Sequence, residues 1–91
     1  MAEPVHDYMM TLHATMEMRR REIDEAVVRR VLAAPEQREA VRPGRDVLQS
    51  RIQTEGKTYL IRVFVDVDRH PAEVVTTYRT SRIAKYWRTM P

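Results

Sequence analysis

Residues 46–68, Asp-Val-Leu-Gln-Ser-Arg-Ile-Gln-Thr-Glu-Gly-Lys-Thr-Tyr-Leu-Ile-Arg-Val-Phe-Val-Asp-Val-Asp, decide the fold. Hydrophobicity alternates with period two on both sides of Glu55-Gly56, the signature of two half-buried strands joined by a tight hairpin. From Asp46 to Thr54, Leu48, Ser50 and Ile52 alternate with Val47, Gln49, Arg51 and Gln53. From Lys57 to Asp68, Tyr59, Ile61, Val63, Val65 and Val67 form an unbroken apolar face, and Leu60, Arg62, Phe64 and Asp66 a mixed one. The apolar face calls for a covering layer of helices, and the mixed face is expected to be at least partly open.

Working outward, Arg69-His70-Pro71 reads as a turn into a third strand over Ala72 to Thr80, rich in β-branched residues. Thr80 or Ser81 then caps a last helix from Arg82 to about Arg88, with Ile83 and Trp87 as its packing side and Arg82, Lys85 and Arg88 turned away. Upstream, Pro43-Gly44 is a turn. Arg38 to Arg42 before it offers a weakly patterned fourth strand. Two helices come first. Thr11 caps the one carrying Leu12 and Met16, which ends near Glu22; Asp24 caps the second, whose apolar face is Val27, Val28, Val31 and Leu32 and which Pro35 stops. The expected architecture is α+β: two N-terminal helices on a three- or four-stranded antiparallel sheet, with a short basic C-terminal helix.

Ninety-one residues fit one domain with a modest core. Residues 1–6 read as a disordered tail and 7–91 as the domain. Without cysteine there is no disulfide and no thiolate metal site, and His6, His13 and His70 lack metal-ligand spacing, so neither metal nor cofactor is expected. The first residues lack the plan of a signal peptide and no apolar run is long enough to span a bilayer, so a cytoplasmic location is expected. With Gly44 and Gly56 the only glycines, glycine-rich phosphate loops are excluded.

Net charge is +3, but residues 74–91 hold four cations and no acid, and fourteen of the sixteen cations are Arg. Arg forks suit phosphate or carboxylate. Antiparallel pairing could gather Arg51, Arg62 and Arg79 on the mixed face, where an anion or neighbouring carboxylates would neutralise them. His13 shares a helix face with Glu17 and Arg20, an arrangement equally suited to a surface pair or to proton transfer near neutral pH. Tyr78, Tyr86 and Trp87 interleave with Arg79, Arg82, Lys85 and Arg88, as base stacking beside phosphate contacts requires, although core anchoring explains Trp87 as well.

The run His13-Ala14, Met18, Arg21 and Ile23, then an acid-capped helix ending at Pro35, resembles the pattern of the bacterial domain of unknown function family 4258. So do Ile61-Arg62-Val63-Phe64-Val65-Asp66 and Val74 to Ser81, so that the resemblance covers about residues 8 to 88. Glu22 stands where that family usually has Gly, which predicts a more helical link, and Glu17 stands at a position often basic. The family is similar to the RelE, barnase and colicin group of metal-independent ribonucleases, many of them toxins paired with an antitoxin. The resemblance therefore implies a RelE-like fold, RNA as substrate and a small antitoxin-like protein partner. On that reading His13, Arg51, Arg62, Arg79 and Lys85 are the candidate catalytic residues, and Tyr78, Arg82 and Arg88 the candidate RNA contacts. The alternatives are a non-catalytic RNA- or protein-binding module of the same fold, and a homodimer joined through the methionine-rich first helix or a sheet edge.

Overall fold

Alternation in the central hairpin becomes the middle of a five-stranded mixed sheet in the computed structural model, which describes residues 2–89. In chain order the elements are β1 (Tyr8–Met10), α1 (Leu12–Arg20), α2 (Glu25–Ala33), β2 (Gln37–Arg42), β3 (Arg45–Thr54), β4 (Lys57–Asp66), β5 (Ala72–Thr80) and α3 (Ile83–Tyr86). The sheet order is β1-β5-β4-β3-β2. The fold is α+β, but the sheet is wider than expected. Arg38 to Arg42 does belong to a strand, paired antiparallel with β3 across the Pro43-Gly44 turn. A fifth strand, β1, pairs parallel with β5, so the sheet is not purely antiparallel. No helix among the described residues is long and apolar enough to cross a membrane.

One side of the sheet carries the main core. Leu48, Ile61, Val63, Val65 and Val74 meet Ala14 and Met18 of α1 and Val28, Val31 and Leu32 of α2. The caps expected of α1 and α2 form: the Thr11 hydroxyl accepts from Ala14 N at 3.1 Å and the Asp24 carboxylate from Ala26 N at 2.9 Å, whereas α3 starts after Arg82 with no side-chain cap, so neither Thr80 nor Ser81 caps it. The segment before β1 lies along the end of α2, with Ala2 N donating to Pro35 O at 3.0 Å and Val5 N to Leu32 O at 2.9 Å.

The link between α1 and α2 is not more helical. Ile23 N donates to Met18 O and Glu22 N to Arg19 O, while Glu22 takes φ 55°. This is a Schellman ending, with Ile23 and Met18 supplying its apolar contact. The left-handed position explains why Gly suits it, and Glu there is strained. Glu22→Gly is expected to raise stability by about 0.5–1 kcal/mol, relief of the strain being partly offset by the greater freedom of Gly in the unfolded chain. A rise in the urea midpoint at constant m-value checks it.

The other side of the sheet is not open. Val47 and Leu60 are buried there, outside the main cluster, and residues 82–89 fold back over it. The last helix is a single turn, shorter than the expected Arg82 to Arg88, and the chain is extended again at Trp87. Gln49 donates to Tyr86 O at 3.1 Å, and Gln37 pairs with both the Arg88 carbonyl and its N–H.

Candidate functional site

Arg62 is the centre of the covered face. It projects from the middle of β4, is 9% exposed, and is flanked across the ladder by Gln49 of β3 and Tyr78 of β5. Its Nε donates to Gln49 Oε1 at 2.9 Å and its Nη1 to the Tyr78 hydroxyl at 2.6 Å. The guanidinium carbon lies 4.4 Å from the ring centre of Tyr86, 5.3 Å from Phe64 and 5.7 Å from Tyr78. Among the described residues no carboxylate pairs with it. A buried cation held only by neutral acceptors and π faces is costly, and such a group is a candidate for function rather than for stability alone.

Tyr86 completes the cluster. Its ring meets Tyr78 edge-on, with centres 6.1 Å apart. Hydrogen bonding from Tyr78 draws the Tyr86 phenol below its ordinary value of 10.0, and the cations of Lys85 and Arg62 add to the effect. Burial pushes Tyr78 the other way, above 10.0. The two phenols are thus shifted in opposite directions, and the Tyr78 hydroxyl accepts from Arg62 Nη1. Lys85 is exposed, its Nζ 5.4 Å from the Tyr86 ring centre, and Arg82 beside it is exposed as well.

The other expected residues separate. Arg51 shares the face of Arg62, but it is committed to Glu36 by two hydrogen bonds, at 3.2 and 2.9 Å, and stacks 4.1 Å from the centre of the Trp87 ring. Arg88 pairs with Glu39. Arg79 does not join the cluster: it pairs with Ile61, on the helix-covered side, with its guanidinium 5.1 Å from the Tyr59 ring centre. His13 lies in the helical layer, across the sheet from the Arg62 side chain, and is exposed. Its expected partner Glu17 is taken by Arg20 at 2.7 Å and Arg21 at 2.9 Å. His13 and the sheet arginines therefore do not form one site. Tyr86, which the helical reading passed over in favour of Trp87, belongs to the cluster; its place beside Lys85 in a cation-rich terminus was the available signal.

The model of the family described as Domain of unknown function (DUF4258) matches residues 10–79. The chain belongs to this family. The match takes in Arg62 and Tyr78 but stops before Arg82, Lys85 and Tyr86, so in this DUF4258 chain the covering segment is an addition to the matched region. No curated protein and no solved structure matches the chain.

The paired carboxylates define the acid behaviour. Hydrogen bonds from Arg20, Arg51 and Arg45 hold Glu17, Glu36 and Asp66 respectively below their ordinary values of 4.5, 4.5 and 3.8. Depressed folded-state values mean stability that is present above the unfolded values and lost as pH falls through the folded ones. Stability is therefore expected to hold from neutrality to about pH 5 and to fall progressively below it. Urea midpoints measured from pH 7 to pH 2 check this, and high salt should flatten the exposed Glu36–Arg51 share first.

Proposed function

We propose that the protein is a metal-independent endoribonuclease of the RelE-like toxin kind, acting at Tyr86, Lys85 and Arg82 over the buried Arg62. The observation that carries this reading is a carboxylate-free, buried guanidinium set against a phenol held below its ordinary value. As phenolate, Tyr86 takes the proton of an RNA 2′-hydroxyl, whose oxygen attacks the adjacent phosphorus. The exposed ammonium of Lys85 gives a proton to the departing 5′-oxygen, and Arg82 adds positive charge beside the pentavalent phosphorus. The products are a 2′,3′-cyclic phosphate and a free 5′-hydroxyl. Arg62 is too deep to touch phosphate and acts as a positioning residue, stabilising the phenolate through the face of the ring. The resemblance to RelE-like toxins also supports an antitoxin-like protein as partner and RNA as substrate.

The depth of Arg62 favours one second reading, a non-catalytic module that holds RNA on Arg82 and Lys85 without cleaving it. Incubating the protein with a mixed RNA pool in chelator separates the two. Cyclic-phosphate ends that accumulate in proportion to protein are expected. RNA left intact by a large excess of protein would overturn the nuclease and leave the binding module.

A further inference from the structure

An unbroken chain of hydrogen bonds runs from Arg62 through two side-chain amides to the backbone of residues 86–88. Gln37 and Gln49 face one another across the β2–β3 ladder. Arg62 Nε donates to Gln49 Oε1 at 2.9 Å, and Gln49 Nε2 donates to Gln37 Oε1 at 2.8 Å and to Tyr86 O at 3.1 Å. Gln37 then holds Arg88 as a neighbouring strand would, its Nε2 donating to Arg88 O at 2.7 Å and its Oε1 accepting from Arg88 N at 3.0 Å.

The buried end fixes the polarity of this chain. A guanidinium donates and does not accept, so the Gln49 oxygen must face Arg62 and the Gln49 nitrogen must face onward. That nitrogen calls for the oxygen of Gln37, which leaves the Gln37 nitrogen for the Arg88 carbonyl. A carboxylate at position 49, which is 1% exposed, would pair with Arg62 but would have no proton to give Tyr86 O or Gln37 Oε1. A neutral partner for the buried cation therefore follows from what that partner does on its other side.

Beyond the Tyr86 ring itself, the other attachments of the segment are weaker. None of the four residues of α3 is buried. Trp87 stacks on an exposed Arg51, and the Arg88–Glu39 pair leaves the Arg88 side chain 72% exposed, where ion pairs contribute little.

We infer that Gln37 and Gln49 are positioning residues of the Tyr86 site: they clip residues 86–88 by the main chain, seat the Tyr86 ring over Arg62 and leave Arg82 and Lys85 free for the substrate. The catalytic part of this inference rests on the reading of Tyr86 as the base.

Trp87 is the only tryptophan of the chain, so its fluorescence reports whether the segment is seated. Gln37→Ala should move the emission to the red and admit acrylamide, whereas Glu39→Gln, which breaks only the exposed ion pair, should do neither. Gln49→Glu keeps the volume and the acceptor for Arg62 but cannot donate onward, so it should release the segment as Gln37→Ala does. In both releasing variants the Tyr86 phenol, faced by Arg62 of β4, Tyr78 of β5 and Lys85 of its own turn, should return toward its ordinary 10.0. The phenolate absorbance that Tyr86→Phe removes is the signal to titrate. Cleavage should fall about 10²-fold, the usual cost of a displaced reacting group. Emission and phenol titration unchanged in Gln37→Ala and Gln49→Glu, or a red shift in Glu39→Gln as large as theirs, would overturn the clip. Neither optical reading needs RNA, so a chain that leaves RNA intact would sink the nuclease while the optical readings still decide the clip.

Discussion

Arg62→Ala is expected to destabilise the domain by about 2–4 kcal/mol, the sum of a void beneath the Tyr86 ring and two partners left unpaired. Gln49 Oε1 and the Tyr78 hydroxyl both lose their donor, and neither lies in open solvent: Gln49 is 1% exposed. The mixed face of β4, taken alone, predicts a near-neutral surface substitution; the C-terminal segment reverses that expectation by covering it. Arg62→Met separates the causes. It refills most of the volume but leaves Gln49 Oε1 and the Tyr78 hydroxyl unpaired, so only the share of the loss due to the void should be recovered. Urea unfolding with an unchanged m-value is the measurement. A change within about 0.5 kcal/mol for Arg62→Ala would show that residues 82–89 leave this face in solution.

The same covering segment separates what was legible in the sequence from what was not. Period-two alternation around Glu55-Gly56 gave the register of the β3–β4 pair, because one face of each strand had to be apolar. Thr11 and Asp24 were readable as caps because a side-chain oxygen before an apolar period has few other uses. Tyr8–Met10 was not readable as a strand: three residues in a parallel pair need no turn signal and run straight into the cap of α1. Arg79 was misplaced for a subtler reason. The register of β5 shifts opposite Phe64 and Val65, so Val74 and Thr77 share a face where strict alternation would oppose them. That bulge sends Arg79 to the helical side and turns Tyr78 toward Arg62. Likewise, stopping α3 after Tyr86 turns that ring onto the sheet, whereas a helix continued to Arg88 would have packed through Ile83 and Trp87. In both places a local departure from regular geometry, a one-residue bulge in β5 and an early stop of α3, decided which side chains meet.

On the ribonuclease reading, Tyr86→Phe is expected to lower cleavage by about 10²–10⁴-fold, the usual contribution of a positioned proton acceptor. Phe keeps the ring that lies over Arg62, so the fold and the salt slope of RNA binding should be retained while the hydroxyl is lost. The pH dependence gives the sharper outcome. A base must be deprotonated, so kcat/KM should rise with pH through the Tyr86 value, which lies below 10.0. Tyr86→Phe should remove that limb. Tyr78→Phe takes away the hydroxyl that is the largest cause of the shift, so the limb should move to higher pH with its plateau preserved. Lys85→Gln should move it the same way by losing a cation, and should also lower the plateau by losing the proton donor. A limb that stays in place in Tyr78→Phe would sever Tyr78 from the mechanism. One that survives in Tyr86→Phe would assign the base to another residue, and His13, isolated in the helical layer, would then be the next group to replace.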